Sequence, residues 1–220
     1  MSAIRLLVLG DVRLRGRAHG YQVRADLEYW GAHEWSSAKP GSLYHALKQL
    51  AKQGLLHAHD TAPSTAGGPP RTEYEITAAG EAEFFRMLRY ALTATREKRE
   101  LLTSAIGFLV DLPRGEALDL LAQRVAALES RRDEVRAKGS PAGAGTEEQG
   151  HIGEIMKLRV RTADSDAAWA RELIARLEGG AFVMAGEGAR DLSVLSDRPA
   201  WEPSATSTRT GTPKRPSSAG

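Results

Sequence analysis

The chain has no cysteine among its 220 residues. That excludes disulfides, a thiol nucleophile and any cysteine-ligated zinc site, and it suits a reducing compartment. No apolar run approaches the roughly 18 residues that a bilayer span needs. The opening MSAIRLLVLGDVRLRG holds an apolar patch too short and too soon interrupted for a secretory signal. The expectation is a cytoplasmic protein without membrane attachment. An excess of one charge is also missing: 30 Lys and Arg face 28 Asp and Glu, for a net charge of +2. Binding of nucleic acid must therefore rest on local basic patches. Catalytic signatures are absent too. His33-Glu34 lacks the second histidine of a zincin, and no glycine-rich phosphate loop or nucleophile elbow occurs. His57 and His59 share one face of a strand, but no carboxylate pattern or helical histidine pair supports a metal there. An α-helical enzyme thus has no constellation behind it, and neither metal nor cofactor is expected.

What is present divides by texture, and no internal repeat is visible. Hydrophobic residues make up 41%, an ordinary share for a globular protein. Residues 1–80 mix short helical patterns with turns, and 81–136 are almost unbroken helical periodicity. Residues 137–146 (AKGSPAGAGT) read as a linker, and 147–179 are helical again. After Gly179-Gly180 the chain turns rich in Gly, Ser, Thr and Pro. Such a stretch buries too little apolar surface to offset its ordering entropy, so 181–220 reads as a disordered tail.

Within the first region Ile4, Leu7 and Val8 open a short helix, and His19-Gly20-Tyr21 starts a second with Val23, Leu27 and Trp30 on one side. Trp35 and Ser36–Ala38 form a turn into a third helix at Pro40, which Gly54 stops. Leu55–His59 is a short strand, Thr61–Pro70 a long turn, and Arg71–Thr77 a returning strand with alternating character. Thr77 caps the next helix, whose apolar period runs through Phe84 and Leu88. Three helices, a hairpin and a long helix make a winged helix-turn-helix. The fold class is mainly α with a small β-hairpin. An N-terminal winged helix-turn-helix domain occupies 1–80, and a C-terminal helical dimerisation domain occupies 81–180.

The third helix carries the chemistry. Pro40 suits a first helical turn, and Leu43, Leu47 and Leu50 put one stripe into a core. Around the rest, Lys39, Ser42, Tyr44, His45, Lys48, Gln49 and Lys52 offer groups that bond phosphates and base edges. The small residues Pro40, Gly41 and Ser42 let the backbone approach a duplex, with N–H groups that suit a phosphate. The plain alternative is a solvated polar face. In the hairpin, Gly67-Gly68-Pro69-Pro70-Arg71 places a cation at the tip, as a wing entering a minor groove would; its alternative is a surface loop.

Residues 1–80 resemble the PadR family of bacterial transcriptional regulators. The matching elements are His19-Gly20-Tyr21, then Lys39-Pro40-Gly41-Ser42-Leu43-Tyr44-His45-Ala46-Leu47 for the family's Ser-Pro-Gly-Ser-(Ile/Leu)-Tyr-x-x-Leu, and Gly54-Leu55-Leu56 entering the wing. Gly68-Pro69-Pro70-Arg71-Thr72-Glu73-Tyr74 matches the wing, and Thr77-Ala78-Ala79-Gly80 the turn into the dimerisation helix, with Ile76 in the family's Leu place. Lys39 stands where Ser is usual, and the hairpin loop is long. The resemblance implies a homodimer that binds a palindromic double-stranded DNA operator and usually represses, often under a small-molecule effector. Its C-terminal length resembles the larger subgroup with several helices. The expected DNA-contacting residues are Tyr21, Lys39, Pro40, Gly41, Ser42, Tyr44, His45, Lys48, Gln49, Arg71 and Thr72.

Independently of the resemblance, Leu118, Leu121, Val125, Leu128, Arg132 and Val135 follow alternating steps of three and four, the seam of a helix packing on another. The dimerisation residues expected from it are Leu118, Leu121, Val125 and Leu128; packing within one chain is the alternative. Met156, Val160 and Trp169 are candidates for an apolar effector pocket on a returning helix, and core packing takes precedence over that reading. The rival to a regulator is a winged-helix module that binds a protein partner and no specific DNA.

Overall fold

The computed structural model describes residues 1–36, 39–60, 72–138 and 150–188. In chain order the elements are α1 (Ala3–Arg15), β1 (Arg17–His19), α2 (Gly20–Tyr29), α3 (Ala32–Trp35), α4 (Pro40–Lys52), β2 (Leu56–Asp60), β3 (Thr72–Ile76), α5 (Ala78–Thr93), α6 (Arg99–Gly107), a 3-10 turn (Leu109–Asp111), α7 (Arg114–Lys138) and α8 (Gly150–Glu178). The mainly helical class with a small antiparallel sheet agrees with the sequence reading. The expected contributions of Ser37, Ala38, the 61–71 loop with Arg71, the linker after Lys138 and the tail from 189 onward lie outside the described residues.

The sheet departs from the expected hairpin. β2 and β3 pair antiparallel, and β1 adds a third strand on the other edge, in the order β1-β3-β2. Tyr74 at the centre of β3 lies between Ala18 and Ala58 in register, and Ala18, Leu56 and Tyr74 are buried. β1 has only three residues, between a left-turning Gly16 (φ 73°) and a helix. That is too short for a period of two to show. A further difference is α3, a single turn where the sequence suggested a loop at Trp35.

α1 is buried on nearly every side, with Leu6, Leu7, Val8, Leu9 and Val12 inaccessible. All-round apolarity marks a helix at the centre of a core. Its neighbours approach closely: a Cβ built at Gly10 would lie 2.2 Å from the Phe108 ring. Phe108 in turn meets Phe84 edge-to-face at 5.4 Å. At the end of α1, Arg13 bonds Glu81 at 2.8 Å and Asp111 at 3.0 Å, tying the helix to α5 and to the 3-10 turn.

The expected continuous helicity of 81–136 is broken twice. α5 ends where Ala94 turns extended (φ −68°, ψ 123°), and α6 begins five residues later at Arg99. Leu112 is extended again (ψ 149°), as the residue before Pro113 should be, and α7 follows. Periodicity alone does not register these breaks, because apolar residues resume on both sides.

α7 and α8 form an antiparallel pair, with Arg171 bonded to Glu129 and both Arg132 and Arg136 reaching Asp164. The buried positions of α7 are Ala117, Leu121, Arg124, Leu128 and Val135, and those of α8 include Ala163, Ala167, Ala170, Leu173 and Leu177. Thus Leu121 and Leu128 of the expected dimer seam are covered within one chain, while Leu118 and Val125 stay half-buried. The core runs as one cluster from Leu6 to Leu177 and Met184, without a break in packing at residue 80.

The start of the expected tail needs correcting. α8 ends at Glu178 and Gly180 (φ 81°) turns the chain, with the Ala181 N–H donating to the Arg176 carbonyl at 2.9 Å. The chain then folds back: Ala185 N–H donates to the Leu112 carbonyl at 3.2 Å. Arg114 donates to the carbonyls of Ala181 (3.0 Å) and Phe182 (2.8 Å) and pairs with Glu187 at 2.7 Å.

Candidate nucleic-acid interface

α4 begins sharply. The Lys39 N–H donates to Ser42 Oγ at 2.9 Å, the Ser42 hydroxyl donates to the Lys39 carbonyl at 2.7 Å, and Pro40 occupies the first turn. It ends as sharply: the Gly54 N–H bonds the Ala51 carbonyl and the Leu55 N–H the Leu50 carbonyl, both at 3.0 Å, with Gly54 at φ 72°. This is a Schellman stop, in which a left-handed glycine releases the chain. Between the two ends Leu43, Ala46, Leu47 and Leu50 are buried, and each leucine contributes about 1.5–3 kcal/mol by leaving water.

The opposite face is open. Lys39, Pro40, Gly41, Tyr44, His45, Lys48 and Lys52 are exposed, and Ser42 and Gln49 are half-buried. Among the described residues no carboxylate lies within ion-pair distance of Lys39, Lys48 or Lys52. Lys48 and Lys52 share one helix face, and with Lys39 at the start of α4 they suit a polyanion. Tyr44 is held rather than free: a Cβ at Gly20 would lie 2.6 Å from its ring, so only glycine at the head of α2 seats it.

His19 joins this face to the sheet. Its N–H donates to Gln22 Oε1 at 2.8 Å, opening α2, and its Nδ1 lies 3.3 Å from the Thr72 carbonyl. Its ring stacks on Tyr21 at 5.5 Å. Tyr21 and Thr72, each half-buried, are thereby brought to the same edge. A cavity of about 460 Å³ opens beside the start of α4, lined by Arg24, His33, Lys39 and Pro40 among others. Sequence reasoning missed Arg24 and His33 here. The spacing of Arg24, one turn beyond Tyr21, was the available signal. Arg24 is partly neutralised by Glu28 at 2.7 Å, whose hydrogen bond raises the guanidinium pKa.

On the wing, His59 Nε2 lies 2.8 Å from Glu75, which also pairs with Arg17 at 2.9 Å. The hydrogen bond from His59, then Arg17, holds the Glu75 carboxyl below its ordinary range. His59 therefore serves a cross-strand pair, with His57 edge-on to it at 4.3 Å.

Wing, α4 and α5 meet at one joint. Thr77 Oγ1 accepts from the Gly80 N–H at 3.0 Å, as the sequence suggested for a cap, and donates to the Gly54 carbonyl at 2.7 Å. A Cβ at Gly80 would lie 2.0 Å from the Leu55 carbonyl oxygen.

The suggested effector residues do not converge. Met156 and Val160 are half-buried, whereas Trp169 is 36% exposed. At about 100° per residue, Val160 and Trp169 fall on opposite faces of a continuous helix, which α8 is.

A helix with free cations, seated on a second helix and flanked by a three-stranded sheet, is a winged helix-turn-helix domain of the DNA-binding kind. Residues 8–86 match the model of the Transcriptional regulator PadR-like family. This segment, residues 8–86 of the 220, is thus similar to a family of transcriptional regulators. Among solved structures, Bacillus subtilis PadR in complex with operator DNA is similar at 20% identity and TM-score 0.36, covering 79% of this chain and 98% of that one. The same protein in complex with p-coumaric acid gives 19% and 0.30, covering 80% and 99%. The PadR-like regulator BC1756 from Bacillus cereus gives 17% and 0.32, covering 80% and 99%. No curated protein matches the chain. Among the described residues, no helix is long and apolar enough to cross a membrane.

Proposed function

We propose that the chain is a homodimeric repressor that binds a palindromic operator through α4 and is released by a small-molecule effector. The observation that carries this reading is exposed Lys48 and Lys52 on one face of α4, with Lys39 at its start, none ion-paired among the described residues, beside the seated Tyr44. Lys48 and Lys52 meet phosphates, Tyr44, His45 and Gln49 face the groove, and Pro40, Gly41 and Ser42 set the approach. Tyr21, Thr72 and Arg71 extend the contact toward the wing. Two half-sites require two copies. Leu118 and Val125 on α7 remain accessible for that contact. Ile155, Leu158 and Trp169 of α8 are exposed within a sector of roughly 60° and support a second apolar face. An effector acts by binding dimers of different half-site spacing with different affinity.

Fluorescence anisotropy with the DNA upstream of the chain's own gene, across a salt series, tests the reading. Sequence-preferring binding with a steep salt slope is expected. Lys48→Ala should weaken binding to every sequence and lower the slope by about one. Equal affinity for all fragments, or wild-type binding by both Lys48→Ala and Tyr44→Ala, would overturn it.

A further inference from the structure

The outward face of the sheet gathers titratable groups that the reading of α4 does not use. Successive residues of a strand alternate sides, so with Tyr74 in the core, Glu73 and Glu75 point outward. The register sets a basic residue on each side of both. Arg17 and His57 flank Glu75, and His19 and His59 flank Glu73. The contacts run between these rows. His59 Nε2 and the Arg17 guanidinium meet the same oxygen of Glu75, at 2.8 and 2.9 Å. His19 Nε2 stands 3.9 Å from Glu73, and the His57 ring lies edge-on to His59. From α2, Tyr21 stacks on His19. α1 and α4 pack against the other side of the sheet, where Ala18, Leu56 and Tyr74 are buried.

Two carboxylates against one guanidinium leave this face negative while its imidazoles are neutral. Protonation of all three imidazoles reverses the sign. Histidine is the side chain that ordinarily changes charge between pH 5 and 8. Glu75 keeps its charge across that range, because the hydrogen bond from His59, then Arg17, holds its carboxyl below the usual carboxylate range. The row of His19, Glu73 and His59 is the one beside Thr72, which the bond to His19 brings to the same edge as Tyr21. Protonation also makes both ring nitrogens of His19 donors. Nδ1 then donates to the Thr72 carbonyl at 3.3 Å while Nε2 faces Glu73, which fastens the head of α2 to β3.

We propose that the outward face of the sheet is a proton-operated switch on DNA affinity, in which His19, His57 and His59 take up protons as DNA binds through α4. The proposal rests on the DNA-binding reading of α4 and names the proton as a regulator of that surface. Phosphates favour the charged imidazoles, so bound DNA draws protons onto this face. The coupling is reciprocal, and protons must strengthen DNA binding by the same factor. Affinity is therefore greatest below the ordinary histidine range and falls as pH rises through it. With neutral imidazoles, Glu73 and Glu75 turn the face against the polyanion.

The test uses the full chain carrying His33→Gln and His45→Gln, because His45 on α4 and His33 beside Lys39 also titrate near bound DNA. Fluorescence anisotropy follows a duplex from upstream of the chain's own gene and a scrambled duplex of equal length. The pH runs from about 8 to about 5.5 at constant ionic strength, with the fold checked by circular dichroism at each point. Binding of the upstream duplex should tighten about tenfold toward the acid end. Adding His57→Gln and His59→Gln should cut that gain to about threefold or less, with His19 left to supply the remainder. Glu73→Gln should tighten binding at the alkaline end, since it removes a negative charge from the row beside Thr72. Binding that does not tighten with acid, or tightens equally without His57 and His59, overturns the switch and leaves the DNA-binding reading standing. No binding to either duplex at any pH overturns that reading, and the switch with it.

Discussion

The two ends of α5 are built on opposite principles. At Thr77 and Gly80 the backbone is satisfied by short hydrogen bonds, and space is filled until no methyl group fits. At Ala94 the last carbonyls are met by an arginine from another helix, and part of that arginine is left unmatched beside a cavity. The first end ties helix α4, the wing and α5 into one body through steric contact. The second end is held by a buried charged group bonded to the Ala94 and Leu92 carbonyls.

Substitutions at the two ends should separate these principles. Gly80→Ala should cost the most, about 3 kcal/mol of unfolding free energy in urea, because backbone must move to admit the Cβ. A loss below about 0.5 kcal/mol would show that the tight end is not tight. Thr77→Ala removes a cap and the bond to Gly54, and should cost about 1–2 kcal/mol by the same measurement. Arg124→Met should change stability by no more than about 1 kcal/mol in either direction, since lost carbonyl bonds are offset by relief of buried charge. A loss as large as that at Gly80 would mean that both ends are structural.

The smallest effect concerns a third clasp, Glu187 on Arg114. The hydrogen bond from Arg114, then that from the Met184 N–H, lowers the Glu187 pKa from 4.5 to about 2. A depressed carboxylate stabilises above its unfolded value, and that contribution fades as pH falls toward the folded value. Hydrogen exchange of residues 181–187 should therefore quicken, relative to α8, between pH 4.5 and 2. In Glu187→Gln that pH dependence should vanish.

Sequence patterns reached the α4 stripe, the Gly54 stop and the Thr77 cap because each depends on neighbours within a few residues. β1 escaped because three residues carry no period, and its pairing with β3 joins positions 17 and 75. The face of α7 was misread by one step. Hydropathy passes over Arg124 to Val125, whereas the structure buries Arg124 and leaves Val125 half-buried. A guanidinium can occupy a core position when carbonyls of another helix meet it, and nothing local to residue 124 announces those carbonyls. Gly20 beneath Tyr44 was hidden for the same reason, since its requirement lies in a contact 24 positions away.

The strand order has a consequence for how the protein is made. β3 lies between β1 and β2, yet it is the last of the three in the chain. Until Ile76 has left the ribosome, both earlier strands lack their only partner in the described sheet. At about 5–20 residues per second, the stretch from Asp60 to Ile76 leaves a nascent chain with two unpaired strands for about 1–3 seconds. The positively charged surface is thus synthesised before the framework that holds it is complete.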